Sequence, residues 1–276
     1  MTTELTDTAV TADRIVHLID QLATLPHLRP DPRTNALFGD LVQAVLAAPD
    51  RQADAVLTHP EVSSRRAAVR ELSARGETAL EHAWAERICS APDPRAALAA
   101  FPYLDNYDRL TALEVHVLTH SSGARSGRTP TSVAVLGCGP LPLSTLGYAD
   151  ALGCPVVGLD RDPAAVALAR RVAARVGTAG VRFEQADAAN VALAGYDAVV
   201  LAALVGETPS AKAAILDRIA GAMRPGAMLL ARSARGLRTL LYPPVDLSAM
   251  TGFEVLEVVH PTDDVINSVV VARRLG

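Results

Sequence analysis

Ser132-Val-Ala-Val-Leu-Gly-Cys-Gly-Pro-Leu-Pro-Leu-Ser-Thr-Leu-Gly-Tyr-Ala-Asp-Ala151 is the stretch that decides the fold of this chain. Val133 to Leu136 is a short apolar run rich in valine, the composition of a strand buried on both faces. Gly137-Cys138-Gly139 lets the backbone turn tightly and approach a ligand with no Cβ in the way. Leu143 to Leu152 has helical character, and its first N–H groups would face the turn. Strand, glycine turn and helix make a nucleotide-binding corner. The third glycine of G-x-G-x-x-G is replaced by Pro142, which argues against an ordinary dinucleotide site.

Downstream of the corner, strands and helices alternate. Strands are expected at Pro155–Leu159, Val181–Gln185, Asp197–Leu201 and Ala227–Ala231, with helices at Pro163–Val176 and Ser210–Met223 between them. Phe253–Val259 and Ser268–Arg273 are joined without a helix, so they should pair antiparallel. The expected fold class is therefore α/β, a parallel sheet with helices on both faces that ends in an antiparallel hairpin. Upstream the pattern is all-helical. Helices are expected at Thr11–Ala23, Asn35–Ala48, Glu61–Ala74, Glu77–Cys89, near Ala96, and at Tyr107–His120. The expected domains are a helical cap (1–122), a small polar linker (123–131) and a Rossmann-like domain (132–276).

Composition narrows the class. Half of the 276 residues are hydrophobic and a fifth are charged, which is globular rather than disordered. A net charge of -4 gives no reason to expect nucleic acid. Lys212 is the single lysine; the abundance of arginine and alanine is read as genome composition rather than function. Cys89, Cys138 and Cys154 are scattered, so no disulfide framework or C-x-x-C site is expected. No apolar run is long enough to span a bilayer, and the polar, acidic N-terminus is unlike a signal peptide, so a soluble cytoplasmic protein is expected.

In such a sheet ligands bind beyond the carboxyl ends of the strands. Gly137, Gly139, Asp160 and Asp187 all fall there. Asp160 lies about twenty residues past the glycines, the distance at which a carboxylate reaches ribose hydroxyls, and Asp187 could accept from an adenine amino group. The competing reading is that Asp160 and Asp162 cap the helix beginning at Pro163. NAD and S-adenosylmethionine both satisfy these contacts. The terminal hairpin and Arg224-Pro-Gly226 favour the class I S-adenosylmethionine-dependent transferase sheet, a fold-level analogy. His116 and His120 have metal-ligand spacing but Val117 replaces the glutamate of H-E-x-x-H, so no metal site is expected; Ser233 has no triad order around it. Tyr103 and Tyr107, at i and i+4, read either as a catalytic face or as an aromatic seam, and Glu81 by periodicity alone is a solvated helix charge.

Longer phrases carry a resemblance. Leu201-Ala-Ala-Leu-Val-Gly206, Arg232 to Asp246, Gly252-Phe-Glu-Val-Leu256 and His260 to Val271 resemble the nicotianamine synthases and their bacterial relatives. So do Gly137-x-Gly-Pro-Leu-Pro-Leu143, Asn35-Ala-Leu-Phe38, Leu80-Glu81 and Phe101-Pro-Tyr-x-x-Asn-Tyr107. Arg235 departs, standing where plant members carry histidine. The resemblance implies transfer of the 3-amino-3-carboxypropyl arm of S-adenosylmethionine to an amine, releasing methylthioadenosine, in making a metal chelator. It implies Glu81 and Tyr107 as catalytic residues. Gly137, Gly139, Pro140, Asp160, Asp187, Ala188 and Ala202 would bind the donor, and Tyr103, Arg232, Tyr242 and His260 the reacting arm or acceptor. S-adenosylmethionine would be a substrate and no prosthetic group would be held. The expected partners are small molecules, S-adenosylmethionine and an amino-acid or amine acceptor, with no nucleic acid or membrane and a homodimer left open. The alternatives are intramolecular closure of the arm to azetidine-2-carboxylate, or a non-catalytic S-adenosylmethionine-binding protein.

Overall fold

In the computed structural model the short valine-rich runs become β1 (Val133–Leu136), β2 (Val156–Asp160), β3 (Val181–Gln185), β4 (Ala198–Leu201) and β5 (Met228–Ser233), followed by β6 (Phe253–Val259) and β7 (Ser268–Arg274). The structure describes residues 2–120 and 129–276, with side chains from residue 7 onward, so most of the expected linker lies outside the described residues. The strands form one sheet in the order β3-β2-β1-β4-β5-β7-β6. β1 pairs in parallel with both β2 and β4, while β7 runs antiparallel to β5 and β6. Every residue of β1 and β4 is buried, which is why these strands show no alternation of polar and apolar residues. Because β1 is flanked by the second and fourth strands, the strand order reverses there and a crevice opens at its carboxyl end.

Around the sheet lie α7 (Leu143–Leu152), α8 (Pro163–Val176) and α9 (Pro209–Ala222). α8 starts on Asp162, whose side chain accepts from the Ala164 N–H, and stops at Gly177 in the left-handed region. α9 starts on the Thr208 hydroxyl, which accepts from Ala211 N–H.

The N-terminal half is α1 (Thr2–Ala23), α2 (Pro32–Ala47), α3 (Asp50–Thr58), α4 (Pro60–Ser90), α5 (Pro94–Ala99) and α6 (Leu104–His120). Two differences from the sequence reading stand out. α3 is a helix that periodicity did not mark; it is only nine residues long. The two helices expected on either side of Gly76 are one 31-residue helix. Gly76 does not end it, because the Phe38 ring lies against that position: a Cβ there would come within 2.3 Å of Phe38 Cζ. The glycine makes room for packing.

The cores join the two halves. Leu110, Val117 and Leu118 of α6 pack with Val133, Val135, Leu230, Val269 and Val271 of the sheet. Ala85 and Ile88 of α4 pack with Val166, Ala169 and Val172 of α8. Leu237, Leu240 and Leu241, which follow β5, bury themselves among the first helices. No described helix is long and apolar enough to cross a membrane.

Candidate active site

The site begins at the turn after β1. Gly137 and Gly139 have φ of +81° and +65°, a region that L side chains rarely adopt. Space forbids a Cβ as well: at Gly137 it would meet Val205 Cγ2 at 2.3 Å, and at Gly139 it would meet Glu81 Oε2 at 2.5 Å. The glycine turn is therefore where Glu81 of α4 comes down on the sheet. Asp160, at the end of β2, accepts from the Gly139 N–H at 2.9 Å and from the Asp162 N–H at 3.0 Å. The cap of α8 is Asp162 alone, and the Asp160 carboxylate instead braces the turn. Asp187 is exposed beyond β3, with Oδ1 accepting from the Ala189 N–H.

Facing the turn is a cluster that the helices assemble. Glu77 and Glu81 lie one turn apart on α4, hence on one face. The Tyr107 hydroxyl of α6 is 3.1 Å from Glu81 Oε1 and 3.5 Å from Glu77 Oε1. The Tyr242 hydroxyl donates to Glu77 Oε2 at 2.6 Å. Both glutamates are half-buried and line a cavity. Burial, then the charge of Glu77, push the Glu81 carboxyl well above the ordinary carboxylate range, against the pull of the Tyr107 hydrogen bond. Burial also raises Glu77, offset in part by its bond from Tyr242. Burial and the two carboxylates push the Tyr107 hydroxyl well up, so it stays protonated.

Arg232 of β5 closes the inner end. It is clamped by Glu114 of α6, Nε to Oε1 and Nη2 to Oε2 both at 2.8 Å, and Nη2 also donates to Ser144 Oγ. Tyr148 adds a bond to Glu114 Oε2. Burial works against the guanidinium charge, but Glu114 more than offsets it and holds Arg232 protonated. Nη1 takes no part in these bonds.

A cavity of about 1120 Å³ connects these groups. Its walls include Glu81, Tyr107, Gly137, Gly139, Pro140, Asp160, Asp187, Ala188, Ala202, Arg232 and Tyr242, all singled out from the sequence. Tyr103 and His260 are outside the lining. Tyr103 is 38% exposed and stacks edge-on against Phe101, and His260 shares a hydrogen bond with Ser268. Arg235 is also outside, paired with Asp50 at 3.4 Å. His116 and His120 stack face to face, and among the described residues no cluster of His, Cys, Asp or Glu could hold a metal ion. Ser233 Oγ accepts from the Val245 N–H. Sequence reasoning missed Glu77, Glu114 and Asn267; the Asn267 amide borders the cavity with a buried Nδ2 that has no protein partner. The like-charge pair at i and i+4, Glu77 and Glu81, was the one available signal, since such a pair weakens a solvated helix.

A family model described as nicotianamine synthase protein matches residues 3–276. The nicotianamine synthase of Solanum lycopersicum is 36% identical over 269 residues, covering 95% of this chain and 83% of that protein. Nicotianamine synthase 9 of Hordeum vulgare is 39% identical over 270 residues, covering 95% and 78%. Among solved structures, a mutant of MtNAS in complex with S-adenosylmethionine superposes with a TM-score of 0.82 at 21% identity, over 96% of this chain and 98% of that one. The mitomycin 7-O-methyltransferase MmcR shares the sheet more distantly, at a TM-score of 0.53 and 20% identity over 90% and 74%.

Proposed function

This chain belongs to the nicotianamine synthase family, and on that premise we propose that it transfers the 3-amino-3-carboxypropyl arm of S-adenosylmethionine to an amine acceptor. The observation that carries this reading is the Glu81 carboxylate, half-buried beside Tyr107 and directly over Gly139 of the nucleotide turn. An ammonium acceptor must lose a proton before its nitrogen can attack. Glu81, raised toward the working range by burial and Glu77, is the base for that proton. The nitrogen lone pair then attacks the γ-carbon, the C–S bond breaks, and its electron pair leaves with sulfur as methylthioadenosine.

Other walls suit the two substrates. Asp160 uses two of its roughly four acceptor sites on backbone N–H groups, and the rest are left for ribose hydroxyls. Asp187 and Ala188 flank the place of the adenine, while Gly137, Pro140 and Ala202 let the nucleotide approach the backbone. Arg232, already oriented by Glu114, offers Nη1 to a carboxylate of the arm or the acceptor. Tyr242 lines the same wall. Incubation with S-adenosylmethionine, with and without added amino acids, followed by chromatography of the nucleosides tests the proposal. Methylthioadenosine is the expected product; S-adenosylhomocysteine in its place refutes it.

A further inference from the structure

Glu77 has no part in the reaction just described, yet it is bonded into the centre of the site. Its Oε1 is 3.5 Å and Glu81 Oε1 is 3.1 Å from the same Tyr107 hydroxyl, and its Oε2 is held by Tyr242 at 2.6 Å. A phenol has one proton to give and can also accept. Between two ionised carboxylates it satisfies only one of them. With a single proton on the pair, the protonated carboxyl donates to the Tyr107 oxygen and Tyr107 donates to the other carboxylate. Two such arrangements exist, and a shift of two protons along the chain interconverts them.

We propose that Glu77 is a positioning residue that takes the proton from Glu81 through the Tyr107 hydroxyl and so restores Glu81 as the base. The inference rests on the transferase reading above. In the first step, which begins with both carboxylates ionised, an N–H bond of the acceptor ammonium breaks and an O–H bond forms on Glu81. In the second, the Glu81 proton passes to the Tyr107 oxygen while the Tyr107 proton passes to Glu77. Each bond broken is matched by one formed, and no other reactant is needed. The groups facing the pair are Tyr107 from α6, Tyr103 ahead of it, Asp160 from β2, Arg232 from β5 and Tyr242 beyond it. Arg232 is already matched by Glu114, so after the first step the pair holds one proton and one charge between its two carboxyls. Burial lifts both carboxyls, so either can hold the abstracted proton.

The test is the pH profile of methylthioadenosine release at saturating donor and acceptor, for the wild-type chain, Glu77→Gln and Glu77→Asp. Glu77→Gln removes a negative neighbour of Glu81, so the acidic limb should move to lower pH. It also removes the proton's destination, so kcat should fall by about 10- to 100-fold, with the donor KM unchanged. Glu77→Asp keeps the charge but withdraws the oxygen from Tyr107. Its limb should stay in place while kcat falls, and this variant decides the matter if the glutamine form does not fold. A loss of kcat in Glu77→Gln with an unmoved limb means packing only, and a wild-type kcat with a raised acceptor KM means ammonium binding; either overturns the inference, as does wild-type turnover in Glu77→Asp. If the wild-type chain releases no methylthioadenosine, it is the transferase reading that fails.

Discussion

Under the proposed transfer, Glu81 sets stability against activity. A carboxyl whose folded pKa is raised stabilises the fold below its unfolded pKa, and that contribution is lost as pH rises through the folded value. Glu81→Gln stays neutral, so its melting temperature should exceed that of the wild type at neutral pH, by a margin that widens as pH rises. Its kcat should fall by about 100- to 10,000-fold with donor affinity retained. A variant that is no more stable and turns over normally would return Glu81 to an ordinary helix charge. Asp162 caps α8 and Asp160 does not, which leaves Asp160 to the proposed donor contact. Asp160→Ala should weaken donor binding by ~1.5–3 kcal/mol, and it should also lower the melting temperature, because two backbone N–H groups lose their acceptor. Asp162→Ala should cost about 1 kcal/mol of stability and leave donor binding alone. Calorimetry and thermal melts on both variants check this.

At the scale of elements, helix and loop are placed by single side chains. Gly76 lies mid-helix with the Phe38 ring in the space a side chain would fill. Gly76→Ala should therefore destabilise the wild-type chain, yet in a Phe38→Ala background the same change should stabilise by about 1 kcal/mol, the ordinary helix preference for alanine. Denaturant unfolding of the four forms reads the reversal of sign. Lys212 of α9 is buried and donates to the Ala203 carbonyl at 2.8 Å, anchoring the loop after β4 that lines the cavity. Burial lowers its pKa to about 8. Between that value and the unfolded value near ~10.4 the unfolded chain holds the extra proton, so stability gains as pH rises. Subtracting the melting curve of Lys212→Met across this range should remove a positive slope; a difference independent of pH would show that the amine is not depressed.

Across the whole molecule, α4 and α6 share their apolar contacts with the sheet, and the segment after β5 shares its own with α1 to α3. Unfolding should therefore be one cooperative transition, with far-ultraviolet and aromatic signals coincident. The fragment 132–276 alone would expose Val133, Val135, Leu141 and Leu146, and should associate rather than remain monomeric on size exclusion. Two separated transitions, or a monomeric fragment, would contradict this.

What the sequence determined by itself was local. The sheet could be placed strand by strand because valine runs such as Val133–Leu136 and Ala198–Leu201 owe their burial to composition, and the corner could be placed because positive φ demands Gly137 and Gly139. The start of α8 was legible in Asp162 and Pro163, because its cap involves neighbours in the chain. What lay further off was decided only by the tertiary structure. Gly76 is helical because of a ring contributed by α2, and Asp160 braces a turn because β1 and β2 are paired. Glu77, Glu81, Tyr107 and Tyr242 come from three separate stretches, and Arg232 and Glu114 are 118 positions apart. Periodicity shows which face of a helix is polar, but a charge facing water and a charge facing an internal cavity have the same period. Only the packing of α4 and α6 on the sheet separates the two, by removing bulk water from carboxylates that the sequence alone would leave solvated.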